Sequence, residues 1–350
     1  MARRGAGAIG APAGGCGAGR RQPSRACREA FIAPPRSARY LRCMEAVARS
    51  PEEALKPRRL LRRNPLRFSP WMRGDAWGDV MEPRPIGGRI RAIRRMASAA
   101  VWTLLCIPVQ AVLLRASPAG AKRFGRTYHA VLCRLIGLRV QVVGAPSASP
   151  SVLYVSNHSS WLDILVLGGV LEASFVSKAE VGTWPLVATV ARLGRTVFVS
   201  RTRSGTGKEA GDIGQRLQSG DSIILFPEGT SNDGTRVLPF RSSFLAVAAD
   251  AKQVQPVSLV YDRLGGLPAC RRDRPFFAWY GDMDIATHFW RIARRSGARA
   301  TVLLHEPADP AAFPDRKALT AAASEVVAEG AAMLRQNRPV APLRLRGPAA

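Results

Sequence analysis

Two side chains suited to moving a proton lie five positions apart in residues 152–163, VLYVSNHSSWLD: His158 and Asp163. An imidazole can take a proton from an alcohol near neutral pH, and a carboxylate on its other nitrogen fixes the tautomer and stabilises the imidazolium that forms. At about 100° per residue, positions five apart on a regular helix lie about 140° apart and face different sides. His158 must therefore precede a helix, with Asp163 in its first turn. The surrounding residues fit: 152–155 form an apolar β-forming run, 156–160 are polar and turn-prone, and Trp161, Ile164, Leu165 and Leu167 recur at roughly helical spacing. The stretch reads as strand, loop, helix, with His158 at the carboxyl end of a strand, where open α/β sheets gather ligands. A competing reading gives Asp163 a local task, because Ser160-x-x-Asp163 is also a capping box.

Three further blocks have the same strand-then-turn form. Residues 194–201, GRTVFVSR, run into the cation Arg201; residues 223–226 are apolar and stop at Pro227-Glu228-Gly229-Thr230; residues 254–261, VQPVSLVY, carry Pro256 within an apolar run. In this order and spacing, Asn157-His158 to Asp163, Gly194-x-x-x-Phe198-x-x-Arg201, Phe226-Pro-Glu-Gly-Thr230 and Gln255-Pro256-Val257 resemble the 1-acylglycerol-3-phosphate acyltransferase family. The second block holds one residue more between glycine and phenylalanine than the family pattern, and the resemblance spans residues 138–261.

The resemblance implies transfer of a fatty acyl group from a thioester, acyl-CoA or acyl carrier protein, to the hydroxyl of a lysophospholipid, first of all 1-acyl-sn-glycerol-3-phosphate to give phosphatidate, with lyso-ornithine lipid or another lysolipid as the second reading. The hydroxyl attacks directly, without an acyl-enzyme, although Ser159 and Ser160 adjoin the histidine. It assigns His158 and Asp163 to catalysis and the acceptor's head to Asn157, Arg201, Glu228, Gly229 and Thr230. A cation suits a phosphate and a carboxylate accepts from a hydroxyl. Lys178, at the next strand end, is a candidate donor to the tetrahedral oxyanion, with a solvated lysine as the plainer reading. One departure matters. Many phosphatidate-forming members follow Glu-Gly-Thr with arginine, whereas Ser231 stands here and Arg236 comes later in the loop. Either Arg236 substitutes, or the acceptor is not lysophosphatidate; bacterial lyso-ornithine lipid acyltransferases resemble this form. A catalytically inactive, basic membrane- or nucleic-acid-binding protein on the same fold is the reading of a different class.

The elements that must hold these residues follow from pattern and composition. From residue 138 onward apolar runs alternate with amphipathic stretches, which gives an α/β domain over 138–335, a single sheet with helices on both faces. Residues 96–114 carry no charge, sit between Arg94-Arg95 and Arg115, and pair with an amphipathic stretch at 128–138 as a membrane-associated helical hairpin over 96–137. Its length suits a single pass or a monotopic helix in one leaflet, at the cytoplasmic face of the inner membrane. Residues 263–299 show no clear period; their aromatics Trp279, Tyr280, Phe289 and Trp290 read as core first and lipid interface second. Residues 1–95 hold 22 of the 52 cations against 7 of the 25 acids, a local net of +15 in a total of +27, and are rich in Ala, Gly and Pro. Such a segment is expected to be disordered or to be GC-rich upstream DNA translated from too early a start, with Met81 or Met96 the expected beginning. The tail 336–350 reads as loose. The charge favours an anionic membrane surface, phosphorylated substrates or a nucleic acid; because His158, Asp163 and Glu228 are all intact, nucleic acid is not expected as a partner. The six cysteines show no C-x-x-C or paired spacing, so free thiols, no metal and no cofactor beyond the acyl donor are expected.

Overall fold

The apolar run before the histidine becomes β2, Val152–Ser156, buried along its whole length in the middle of the sheet. A computed structural model describes residues 88–178, 185–199, 206–281 and 283–346, all within one compact unit, Gly74–Ala350. Along the sheet the strands run β1 (Leu138–Val143), β8 (Ala298–Leu304), β6 (Gln253–Leu264), β2, β5 (Ile223–Leu225), β3 (Ser174–Lys178) and β4 (Val197–Val199), with the short β7 (Leu267–Pro268) paired to β6. From β6 to β4 all neighbours are parallel, while β8 runs antiparallel to β6 and carries β1 parallel to itself. β2 is thus flanked on both sides by parallel strands, and its carboxyl end opens with theirs.

Alternation along the central strand sorts the two faces. Val152 and Tyr154 join one apolar cluster, Leu153 and Val155 the other. The first cluster packs against α1 (Arg89–Ala116), α2 (Pro118–Ile136), α3 (Leu162–Val170), the single turn α6 (Arg274–Phe277) and α7 (Ile285–Arg294). Helices α5 (Thr206–Gln218) and α8 (Arg316–Arg335), with the 3₁₀ segment Phe244–Asp250, cover the second; α4 (Pro185–Leu193) sends Val190 to the first. The expected single α/β sheet covered on both faces is what forms.

Three boundaries differ from expectation. The first helix begins at Arg89 rather than near Met96, because its early arginines have work to do: Arg95 Nη1 donates to the carbonyls of Ala293 (3.1 Å) and Arg295 (2.8 Å), placing a cation on the carboxyl end of α7. Residues 263–299, without visible period in sequence, contain α7, capped by the Asp284 side chain accepting from Thr287 N at 2.7 Å. The tail packs: Leu345 is buried, Glu306 N donates to Leu343 O at 2.9 Å, and Leu343 N donates to His305 Nδ1 at 3.2 Å. Of the expected extension 1–95, residues 1–87 lie outside the described residues, as do the last four residues of the chain, while 89–95 belong to the first helix.

Helices α1 and α2 form the expected hairpin. Ser117 caps α2 through Gly120 N, Pro118 occupies its first turn and Gly137 ends it at φ 85°, a left-handed conformation that costs glycine little. Trp102 Nε1 donates to Tyr128 O, and Thr103 Oγ1 pairs with Tyr128 Oη at 3.0 Å, so one face of α1 is fastened to α2. The opposite face, with Ile90, Ile93, Val101, Leu104, Leu105 and Val112, is exposed. Among the described residues α1 is the one helix long and apolar enough to cross a membrane.

Candidate active site

The residues after β2 leave the sheet, and their neighbours on both sides hold them with side chains. Toward β6, Asn157 Nδ2 donates to Leu259 O (2.9 Å) and its Oδ1 accepts from Leu259 N (2.8 Å), extending the ladder by one amide. Toward β5, Glu228 Oε1 accepts from the backbone N–H of His158 at 2.8 Å. The other carboxylate oxygen accepts from Asn232 Nδ2 (2.6 Å) and Leu238 N (3.1 Å), and Asn232 also donates to His158 O. Both Asn157 and Glu228 are buried, so each is a girder of the loop that carries His158.

His158 itself is where the spacing argument put it, ahead of α3, with Asp163 as the second residue of that helix. Nδ1 lies 2.8 Å from Asp163 Oδ2. The same oxygen accepts from Ser159 N (2.7 Å) and Ser160 N (2.9 Å), while Oδ1 accepts from Tyr261 Oη (2.6 Å). Four donors converge on this buried carboxylate, and the donor that faces it from a neutral imidazole is Nδ1–H, which leaves the ring's lone pair on Nε2. The capping-box bond from Ser160 N is present as well, so the local and the chemical task of Asp163 coexist; the Ser160 hydroxyl instead accepts weakly from Leu162 N at 3.3 Å. The imidazole side chain keeps 21% exposure and the carboxylate none, so only the ring can be reached from outside. Phe226 stacks on that ring at 4.2 Å and 21°, fixing its plane and offering a π face to an imidazolium.

Burial pushes the Glu228 carboxyl up to about 7, although His158 N, Leu238 N and Asn232 all pull the other way. Below about 4.5 Glu228 is protonated in both the folded and the unfolded chain. Between that value and 7 the unfolded chain gives up its proton first, so ionisation costs the fold stability, on the order of 3 kcal/mol once complete. Stability is therefore expected to fall as pH rises from 4.5 to 7, and Glu228→Gln to flatten that decline. Chaotrope midpoints of the two proteins across this range check it; equal slopes would contradict it. In activity Glu228→Gln is expected to lose at least ~10-fold, because either orientation of the amide turns its NH₂ toward a backbone N–H.

Of the other expected residues, Gly229 adopts φ 72°, which favours glycine at this turn, and a Cβ there would meet Phe244 at 3.3 Å. Thr230 is exposed, its hydroxyl 3.3 Å from Ser231 O. Arg236 reaches a small cavity shared with Asn157 and Ser159. Lys178 ends β3, beside Val199 of β4, but its side chain lies outside the described residues, and so does Arg201. Tyr261, Asn232 and the stacking of Phe226 were not foreseen. Tyr261 is 98 positions from Asp163, and only the pairing of β6 with β2 brings them together. Among the described residues no cluster of His, Cys, Asp or Glu could hold a metal.

Comparison with known proteins agrees with this geometry. The family model described as acyltransferase matches residues 139–262. The lyso-ornithine lipid O-acyltransferase of Brucella abortus is 38% identical over 241 residues, 66% of this chain and 90% of that protein, and the one of Rhizobium meliloti is 37% identical, covering 61% and 77%. The 1-acyl-sn-glycerol-3-phosphate acyltransferase of Neisseria gonorrhoeae is 33% identical over 50% of this chain and 67% of its own. The crystal structure of the 1-acyl-sn-glycerophosphate acyltransferase of Thermotoga maritima shares the fold, with a TM-score of 0.54 at 22% identity over 72% of this chain and 97% of that one. With its catalytic-type histidine and carboxylate joined at the end of the central strand, and nine tenths of the Brucella abortus protein matched, the chain belongs to the acyltransferase family.

Proposed function

We propose that the protein transfers a fatty acyl group from a thioester, acyl-CoA or acyl carrier protein, to the free hydroxyl of a lysolipid. The observation that carries the proposal is the bond between His158 Nδ1 and a buried carboxylate that also accepts from Ser159 N, Ser160 N and Tyr261 Oη. Nε2 takes the hydroxyl proton as the oxygen attacks the thioester carbonyl; the C–O bond forms, the tetrahedral intermediate collapses, and the C–S bond breaks. The thiolate leaves with the proton returned from the imidazolium, which Asp163 has stabilised meanwhile. Ser159 and Ser160 are buried at 6% and 0% exposure, which supports direct attack over a serine ester. Lys178 and Arg201 are proposed to complete the oxyanion and acceptor sites, and Gly229 and Thr230 to shape the acceptor's entrance.

Between the two acceptor classes we favour lyso-ornithine lipid over 1-acyl-sn-glycerol-3-phosphate. Ser231 stands where many phosphatidate-forming members carry an arginine after Glu-Gly-Thr, and the lyso-ornithine lipid O-acyltransferases of Brucella abortus and Rhizobium meliloti are matched at higher identity and over more of their length than the 1-acyl-sn-glycerol-3-phosphate acyltransferase of Neisseria gonorrhoeae. The test offers purified full-length protein lyso-ornithine lipid, lysophosphatidate and lysophosphatidylcholine in parallel with labelled acyl donor. Lyso-ornithine lipid is expected to be acylated with a kcat/KM at least ~10-fold above the others, a margin one charge-assisted contact can supply. Preferred acylation of lysophosphatidate would reverse the assignment of acceptor.

The apolar stripe of α1 supports seating at a membrane, on the cytoplasmic face. Arg95 ties the start of the helix to α7, and Gln110 Nε2 ties its far end to Leu193 O at 3.1 Å and to Ala121 O. A helix fastened to the α/β domain at both ends lies along it, so the monotopic arrangement is favoured over a span.

A further inference from the structure

Beside the catalytic loop three guanidinium-bearing side chains line one small cavity: Arg236 from the loop after Thr230, Arg274 from α6 and Arg335 from the last turn of α8. Its remaining wall includes Ser159 and the aromatic Phe277. Gly234, at φ 72°, lets the 231–236 loop close over it: a Cβ there would lie 3.8 Å from Ser159 Cβ and 3.9 Å from Arg274. The volume, about 20 Å³, is that of one water-sized group.

Arg274 and Arg335 are half-buried and Arg236 is exposed, yet none of the three has an ion-pair partner among the described residues. Among the described residues no carboxylate oxygen lies within 4.0 Å of any of them, although Arg299, Arg195 and Lys122 all find one. Arg274 Nη2 donates to Arg335 O at 3.1 Å, which fixes Arg274 against the carboxyl end of α8 and leaves its other donors free. The guanidiniums of Arg236 and Arg335 make no hydrogen bond to a described residue. Gathering like charges in a partly desolvated pocket costs free energy unless an anion joins them; burial lowers the pKa of the Arg274 guanidinium, with Cys270 opposing and Arg271 adding to it, and burial and Arg274 lower that of Arg335 against a smaller opposing pull from Glu228 and Asp233.

We infer that Arg236, Arg274 and Arg335 form the seat for one anionic oxygen pair on the acceptor, the carboxylate of an amino-acid headgroup, and thereby select the acceptor whose hydroxyl reaches His158. The inference rests on the proposed acyl transfer and names the group that its acceptor site reads. One oxygen replaces the water-sized volume and the second meets the exposed Arg236 at the mouth, a forked arrangement that suits guanidinium better than ammonium.

The experiment compares wild-type protein with Arg335→Gln and Arg335→Lys on two acceptors that share the same hydroxyl, lyso-ornithine lipid and its carboxyl methyl ester. Wild type is expected to show a KM for the ester at least ~10-fold above that for the acid. Arg335→Gln is expected to raise KM for the acid ~10-fold, with kcat within about twofold and the ester unaffected; Arg335→Lys should recover part of the loss. Thermal midpoints of both variants, matched to wild type, establish that they fold, and the charge-retaining lysine serves if glutamine does not. Equal losses on acid and ester, or no loss on either, overturn the anion seat. A wild type that acylates neither these acceptors nor lysophosphatidate overturns the acyl-transfer reading itself, a different outcome from an active enzyme indifferent to position 335.

Discussion

His158→Ala lowers acyl transfer by at least ~10²-fold while vesicle binding and thermal midpoint stay with wild type. A positioned general base contributes about 10²–10⁴, and no other described side chain stands in its place: Asn157 and Glu228 are committed to the backbone of Leu259, His158 and Leu238, and Ser159 and Ser160 are buried. The ring is held by Phe226 and Asp163 but supports neither of them, and the loop bonds that use residue 158 come from its backbone, so alanine leaves the scaffold intact. Initial rates with labelled donor, alongside flotation on vesicles containing anionic lipid, read both halves of the expectation. An alanine variant within a factor of two of wild type removes the base from position 158.

Asp163→Asn separates the two tasks the residue performs. Three donors converge on Oδ2, so the amide oxygen of asparagine settles there and its NH₂ faces Tyr261 Oη, which can turn to accept. The tautomer of His158 is then kept and only the charge is lost. In a serine protease triad the same exchange costs about 10⁴ because the tautomer is wrong. Here a loss of about 10²–10³ in kcat is expected, with the thermal midpoint nearly unchanged. Asp163→Ala instead strands four buried donors, each worth about 1–3 kcal/mol, and is expected to destabilise the fold by several kcal/mol. If the asparagine variant transfers acyl groups at the wild-type rate, Asp163 is a helix cap and nothing more.

Local reasoning reached the residues whose geometry is set by a few neighbours. The apolar run 152–155, the turn after it and the five-residue step to Asp163 were enough to place His158 before a helix and the carboxylate within its first turn. The hairpin of α1 and α2 followed equally from an uncharged run and an amphipathic one. What escaped depends on partners far along the chain. Asn157 and Glu228 entered as acceptor-binding groups through the family resemblance, and nothing near them in sequence shows that their side chains hold the backbone of residues 259 and 158. Tyr261 looked like one more apolar strand residue, since nothing near it in sequence shows that its hydroxyl meets Asp163. Helix α7 was hidden because its cations and aromatics are interleaved: His288, Ile292 and Ala293 turn inward, and the backbone carbonyls of Ala293 and Arg294 accept from Arg95 and Arg91 at the start of α1. Strand direction was also out of reach, as an apolar run such as 301–304 reads the same whether its neighbour is parallel or antiparallel.

The central claim, a lipid hydroxyl attacking the thioester directly with His158 as its base, is tested most directly by mixing wild-type protein with labelled acyl donor alone, quenching, and measuring intact protein mass before and after lysolipid is added. The account predicts protein of unmodified mass at every time point and labelled diacyl product only once the acceptor is present. An acyl group found on the protein at a rate that matches turnover, on Ser159, Ser160 or any other side chain, would contradict it.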